Sequence, residues 1–345
     1  MKLLCVIQEK IKLKRIVVLG VACLLKLSSQ SQDIHFSQFF NAPLSRNPAL
    51  AGIFTGDVRV QGVYRGQWNS VTNAYKTGSV DAEFKKPIGK ADDFVTIGMQ
   101  IMYDRAGSVG WTTIHAMPAL NYHKSLSNQR NSYLSLGFMG GLVQSRIDRS
   151  KMTTNSQYDG LGDGEPNLQP QYTYLDGSAG ISYNASLNDN PENNFFLGVA
   201  YHHFNRPKNT FYRNPDIELN PKWVYSGGIR FAVAETAYMT IMGDYSKQGS
   251  STEAIGGVMY GLKLGPDYDK PDYVVHLGTF FRWNDALIPV LKLDYNPFSI
   301  ALSYDVNVSP LKLSSYGRGG FELSISYIGF SKRSKSVDAM FCPRF

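Results

Sequence analysis

Arg282 stands between Phe281 and Trp283, and Asp305 stands between Tyr304 and Val306. Lys292 and Asp294 alternate with Leu291, Leu293 and Tyr295. Earlier in the chain, Arg59, Gln61, Arg65 and Gln67 alternate with Val58, Val60, Tyr64 and Trp68. Charges at every second position, with apolar residues between them, belong on one face of a strand. Their natural chemistry is pairing across a shared interior. Two readings are open for Arg65, Arg282, Lys292, Asp294, Asp305 and Glu322. They form an ion-pair network, or they are a polar lining tolerated in a wet pore. Either reading keeps them off the lipid side, where an Arg or Lys at mid-membrane costs about 2–4 kcal/mol.

Signatures of catalysis are weak by comparison. His35, His115, His123, His202, His203 and His276 show no zinc-ligand spacing. His202 and His203, as neighbours in a strand, would point to opposite faces. Gly160-Leu161-Gly162-Asp163-Gly164 is glycine-rich, but no helix follows to supply a phosphate site. Asp159, Asp163 and Glu165 miss the EF-hand spacing for calcium and read as a solvated loop. There is no Gly-x-Ser-x-Gly elbow. Nothing argues for an enzyme, and no motif calls for a cofactor.

These residues have to be positioned by strands. From Asp57 onward the sequence alternates with period two. In 299–307, Ile300, Leu302, Tyr304 and Val306 share one face, and Ser299, Ala301, Ser303, Asp305 and Asn307 share the other. In 321–327, Phe321, Leu323, Ile325 and Tyr327 oppose Glu322, Ser324 and Ser326. About fourteen such segments run through 57–330, most of them at or above the ~9–11 residues of a tilted membrane strand. The expected fold is all-β: a closed antiparallel transmembrane barrel of outer-membrane type.

Composition agrees with that reading. Charged residues are only 18%, aromatic residues reach 13%, and no apolar run is long enough for a membrane helix. Loop lengths supply a second argument. The long links, at about 148–171, 205–221 and 308–319, all follow odd-numbered strands. Outer-membrane barrels place long loops outside and short turns on the periplasmic side. A sheet in hydrocarbon must also have no edges, so the first strand, 58–68, should pair with the last, 321–330. Trp68, Trp111 and Trp283 fall near segment ends, where an interfacial girdle belongs.

The N-terminus reads as a secretory signal, residues 1–31. Lys10, Lys12, Lys14 and Arg15 precede an apolar core at 16–25, and small residues surround Gln30. Gly20-Val21-Ala22-Cys23 fits a lipoprotein box poorly. Removing 1–31 takes about +5 from the formal net charge of +7. The basic tail, 331–345, holds about +3 more, so the body is near neutral and nucleic-acid binding is not indicated. Cys342 would be the lone mature thiol, so no disulfide framework is expected. Residues 32–56 form a periplasmic or lumenal segment that lines the lumen, contacts a partner or simply leads in.

Several segments resemble the PorP/SprF family of Bacteroidota. Asn47-Pro48-Ala49-Leu50-Ala51-Gly52 is similar to the family's Asn-Pro-Ala-x-x-Gly core. Arg65-Gly66-Gln67-Trp68 is similar to its Arg-x-Gln-Trp strand. Arg282-Trp283-Asn284-Asp285-Ala286-Leu287-Ile288-Pro289 matches its Arg-x-x-Asp-Ala-x-x-Pro element. Tyr304 within Ser303–Asn307, and Gly320-Phe321 within Gly319–Ser324, match the final hairpin. The chain ends Cys342-Pro343-Arg344-Phe345, like many members. The resemblance implies an outer-membrane component of type IX secretion, other secretion components as partners, and a secreted or surface-anchored cargo such as an adhesin. Gliding motility is one such setting. No active site comes with it. The competing expectation is a passive outer-membrane pore, and a lumen filled by side chains or by 33–56 would argue against that.

Overall fold

A computed structural model describes residues 33–67, 75–89, 92–127, 131–160, 162–188, 190, 192–212, 214, 216–309 and 318–330. Residues 1–31, read above as a secretory signal, Trp68 and the tail with Cys342, Pro343 and Arg344 lie outside these residues. The compact unit that carries the barrel begins at Ile34.

Fourteen strands make up the wall. They are β1 (Val58–Gln67), β2 (Tyr75–Pro87), β3 (Phe94–Ala106), β4 (Trp111–Ser127), β5 (Ser132–Arg146), β6 (Gln171–Ser186) and β7 (Asn194–His202). There follow β8 (Lys222–Ala234), β9 (Ala237–Gln248), β10 (Ser251–Leu264), β11 (Tyr273–Arg282), β12 (Ala286–Tyr295), β13 (Phe298–Asn307) and β14 (Arg318–Gly329). Every neighbour pair is antiparallel, and β1 closes on β14 from Val58 opposite Gly329 to Gln67 opposite Gly320. The sheet therefore has no edge, and every strand's backbone finds its partners within the sheet, as a hydrocarbon surrounding requires.

The pleat sorts the side chains. Outward rows are apolar and exposed: Ile97, Met99, Ile101 and Tyr103 on β3, and Phe298, Ile300, Leu302 and Tyr304 on β13. Such rows run round the whole wall, with Leu277 63% and Leu197 59% exposed. Monomeric soluble proteins rarely expose contiguous apolar patches beyond a few hundred Å². This surface is a lipid-facing one. Trp111, Trp223 and Trp283 ring one end, and Tyr273, Tyr295 and Tyr327 the other, where amphipathic rings meet the interface.

Links sort by end. At the end holding the Trp ring, β5–β6 (147–170), β7–β8 (203–221) and β13–β14 (308–317) are long. At the opposite end the links are shorter, the longest being 265–272. By the loop-length rule the Trp end faces outward. The two longest outer links also hold each other. Gln169 N–H donates to the Phe211 carbonyl, Tyr212 O–H donates to Glu165, and Phe211 packs edge-on to Trp111 and Tyr172.

Candidate functional site

The lumen is filled by the chain's own residues before β1. Three short helical turns, Phe39–Asn41, Pro43–Arg46 and Pro48–Leu50, fold this lead-in into a compact body. Two of the turns begin at proline, whose fixed φ suits a first helical position. Asn47 caps the third: its Oδ1 accepts from Ala49 N–H at 2.8 Å. The motif Asn47-Pro48-Ala49 thus has a local cause, a cap and a turn.

Packing ties this body to the wall on every side. In the outer half, Phe39 and Phe40 join Phe280, Met242, Ile255, Met259, Ile288 and Val290, with ring centroids 5.4 and 5.3 Å from Phe280. Across the barrel, Phe36 and Ala42 meet Val63 and Met102. Leu44 and Ala51 pack on Met117, Ala119, Met139 and Val143. Leu50 and Ile53 pack on Phe196. The lumen therefore carries apolar patches beside the segment, set among the inward polar residues that are usual in barrel interiors.

Polar contacts fix the orientation of the segment. Asn47 Nδ2 donates to the Ile181 and Val199 carbonyls at 3.1 and 3.2 Å. Asn121 Nδ2 donates to the Ala49 and Ala51 carbonyls, both at 2.8 Å. Gly52 has φ +82°, a conformation that favours glycine, and its N–H donates to Glu83 at 2.7 Å. At Gly137 on β5, a Cβ would collide with the Pro48–Ala49 peptide, so the wall is bare where this peptide passes. Arg46 is buried and paired bidentately with Asp244, its Nε 2.6 Å from the carboxylate. The Arg46 guanidinium also lies 4.7 Å from the Phe39 ring centroid.

The outer-end charge cluster is the most demanding part of the site. Arg65 lies 3.0 Å from Asp305 and 3.2 Å from Glu322. Arg282 lies 3.1 Å from the same Asp305 and 2.7 Å from Asp285. Arg65, Arg282, Asp305 and Glu322 are all nearly inaccessible, while Asp285 is open to solvent. The lead-in completes the cluster. Glu322 accepts the backbone N–H of Ser37 at 2.6 Å and of Gln38 at 2.7 Å. Ser37 Oγ donates to Asp305 and also meets Arg282. Arg65 donates to the His35 carbonyl at 2.6 Å, and Gln67 lies against the Arg65 guanidinium. Charges this deep need partners, because an unpaired buried ion costs several kcal/mol.

The six charges of the sequence reading do not form one network. Lys292 and Asp294 stand apart near the opposite end of the barrel, 3.3 Å from each other, with His276 2.8 Å from Asp294. The separation follows from register. Lys292 is opposite His276, and Arg282 is opposite Ala286, six residues before Lys292 on β12. Arg59 belongs to a third group: it pairs with Glu83 beside Phe54. Asn307 accepts from Ser309 in the outer link. Pro289, Tyr304 and Phe321 face outward, and Phe321 lies 5.8 Å from Tyr64. Gly320 is opposite Gln67 at the seam.

His202 and His203 also differ from expectation. The strand ends at His202, and His203 takes φ +56°, so both rings are buried. His203 meets Asp176 at 2.7 Å, and His202 meets Ser178 and the Arg46 carbonyl, each at 3.0 Å. Sequence reasoning missed Ser37, Gln38, Arg46, Asp244, Glu83 and Asn121. The last three sit at inward positions of clean alternations, a signal that was there to read. The first three carry no local signal, since their partners are remote in sequence.

Among the described residues the wall is an edgeless barrel, and its lumen holds the chain's own lead-in. The sequence of the chain matches, over residues 28–327, the profile of the type IX secretion system membrane protein PorP/SprF family. The chain belongs to this family. No match emerges among curated proteins. Among solved structures, the chain is similar to the P. putida toluene transporter TodX, at 10% identity and a TM-score of 0.51 over 85% of this chain and 95% of that one. It is also similar to CdiB from Acinetobacter baumannii, at 11% identity and a TM-score of 0.43 over 79% and 60%. At such identity the likeness to TodX speaks to fold alone: an outer-membrane type barrel. As a PorP/SprF protein the chain is a membrane component of a secretion system, which fits a non-enzymatic role. The segments whose sequence resembles the family place Asn47, Arg65, Arg282 and Gly320 at the third-turn cap, the outer-end charge cluster and the β1–β14 seam.

Proposed function

We propose that this chain is an outer-membrane component of the type IX secretion system that helps export, or holds at the surface, a partner protein such as an adhesin. Gliding motility is one process such a partner serves. The observation that carries this reading is the occupied lumen of a PorP/SprF barrel. Residues 34–56 pack inside the lumen against strands round the barrel, which speaks against a passive pore. What remains for contact with another protein is the outer surface, where links 147–170 and 203–221 pack on each other.

Deleting the gene while leaving its neighbours intact tests the proposal. A specific surface protein should be lost from the cell surface, retained inside or shed to the medium. An unchanged set of surface and secreted proteins, measured by mass spectrometry, would overturn it. Purified protein in planar bilayers should show little steady conductance.

A further inference from the structure

Cross-strand register lines up a row of cations on the outside of the wall, at its outer end. Lys76 on β2 is directly opposite Arg105 on β3, Arg105 is opposite Thr112 on β4, and Thr112 is opposite Arg146 on β5. These positions point outward, because their neighbours point in: Thr77 bonds Asp104 and Thr113 bonds Ser145 on the lumen side. Lys76, Arg105 and Arg146 are exposed. None of the three has an acidic partner among the described residues. Asp104 is turned to the lumen, Asp148 pairs with Lys151, and Asp163 pairs with Arg149. Like charges directly opposite on one face of an antiparallel pair repel, so Lys76 beside Arg105 calls for an anion. Arg105 and Arg146 are two strands apart, roughly 10 Å between Cα atoms, so both can reach one anionic group set between them. The wall beneath the row narrows the kind of anion. One outward step down, about 7 Å along the strands, come Tyr103, Ile114 and Gln144. The next step is Val80, Ile101, Ala116 and Leu142, where Ile101 is 50% and Leu142 55% exposed. A ligand that meets both levels is an amphiphile, with its charged head at the row and its hydrocarbon on the strip. By contrast, Lys247 at the same end stands opposite Trp223 and Thr252. At the other end Lys86 is opposite Val95, and Lys124 is paired with Asp93 at 2.8 Å.

We propose that Lys76, Arg105 and Arg146 hold the phosphate-bearing headgroup of a glycolipid of the outer leaflet, with its acyl chains on the Ile101–Leu142 strip below. Arginine forks take phosphate oxygens in pairs, and lysine adds a point charge. The strip adds acyl contact that a free phosphate lacks. The bound lipid sits beside the start of link 147–170, which follows β5, and sets the depth of this side of the barrel in the leaflet. The inference goes beyond the secretion role and shares with it only the outward placing of the Trp end.

The test is native mass spectrometry of the purified full chain in detergent, with diphosphoryl lipid A added as the probe. Folding of each variant is checked by heat-modifiable gel mobility. The expected result is a lipid A molecule retained by the unaltered chain. Lys76→Gln with Arg105→Gln and Arg146→Gln should weaken retention by roughly fivefold per cation, about 100-fold in all. Lys247→Gln should leave it unchanged, and Arg105→Lys with Arg146→Lys, which keeps the charge, should fall between. Equal retention by the unaltered chain and the triple variant would overturn the inference. Equal retention of lipid A stripped of its phosphates would overturn it too, since acyl contact alone would then suffice. Displacement of lipid A by millimolar inorganic phosphate would make this a site for a free anion and refute the lipid source. Orientation has its own arm, cysteine labelling of intact cells with a membrane-impermeant maleimide in a Cys342→Ser background. Tyr158→Cys, where Tyr158 is 83% exposed, should be labelled, and Lys270→Cys in the 265–272 link should not. The reverse pattern would put the row in the inner leaflet and refute the outer-leaflet source. Gene deletion reads the secretion role separately: an unchanged set of surface proteins would remove that role and leave lipid binding standing.

Discussion

At the scale of single residues, burial decides which charges matter. Asp305 is shared by Arg65 and Arg282 and is almost fully buried. Replacing Asp305 with Asn leaves two guanidinium groups short of a counter-charge in a dry site, and breaking such a pair costs about 3–5 kcal/mol. Thermal unfolding of the purified protein in detergent should show a clear loss. Asp285 binds the same Arg282 but its side chain is 45% exposed, so Asp285→Asn should cost about 0–1 kcal/mol. Equal losses at the two positions would contradict the account. In the outer link, the Arg149 guanidinium holds the Asp163 carboxyl below its usual range, and Ser150 with Lys151 holds Asp148 down to about 2. A depressed carboxylate contributes its stabilisation above the unfolded value, about 3.9, and loses it as pH falls through the folded value. Protease sensitivity of link 147–170 should therefore be flat from neutral pH to about 4 and rise below that, with Asp163→Asn removing part of the change.

At the scale of elements, the lead-in and the wall fit by shape as well as by charge. Gly137 lies directly against the backbone of the segment, and a side chain there has no room while Pro48 and Ala49 stay in place. Gly137→Leu should displace the segment and raise single-channel conductance in planar bilayers while strand content by circular dichroism is kept. Gly62→Ala is the control, since its new Cβ meets only the Ser79 carbonyl, at 3.9 Å. Silent bilayers with Gly137→Leu would mean that the lumen is closed by something other than 34–56. The aromatic group of Phe39, Phe40 and Phe280 supports the segment independently, each ring pair contributing about 0.5–1.5 kcal/mol beyond area burial.

At the scale of the whole molecule, the barrel is stable in lipid only as a ring. The β1–β14 seam places Val60 opposite Tyr327, both outward and about equally exposed. Val60→Cys with Tyr327→Cys should form a disulfide in membranes under mild oxidation, seen as a mobility shift on a non-reducing gel. Offsetting one cysteine by a single residue turns it to the other face and should abolish the shift. The ring and its filling are mutually dependent. The wall carries Glu322, Asp305 and Asn121 at inward positions, and the lead-in supplies hydrogen-bond partners to each of them.

Period-two alternation is a local property, and it settled the strands, their inward and outward faces, the sorting of long links to one end and the need for a sealed seam. In Arg282-Trp283 or Leu293-Asp294-Tyr295 the face of each residue follows from its neighbours alone. Which inward charges meet is set by register around the ring, and no single strand contains that information. For this reason Lys292 and Asp294 separated from Arg282 and Asp305. The sequence leaves 32–56 open between lining the lumen, contacting a partner and leading in, and the contacts of the lead-in are beyond its reach for a stronger reason. Ser37 and Glu322 are bonded across 285 positions of sequence, and a Ser-Gln pair has no pattern that names its partner. Only closure of the ring creates the lumen that this segment fills.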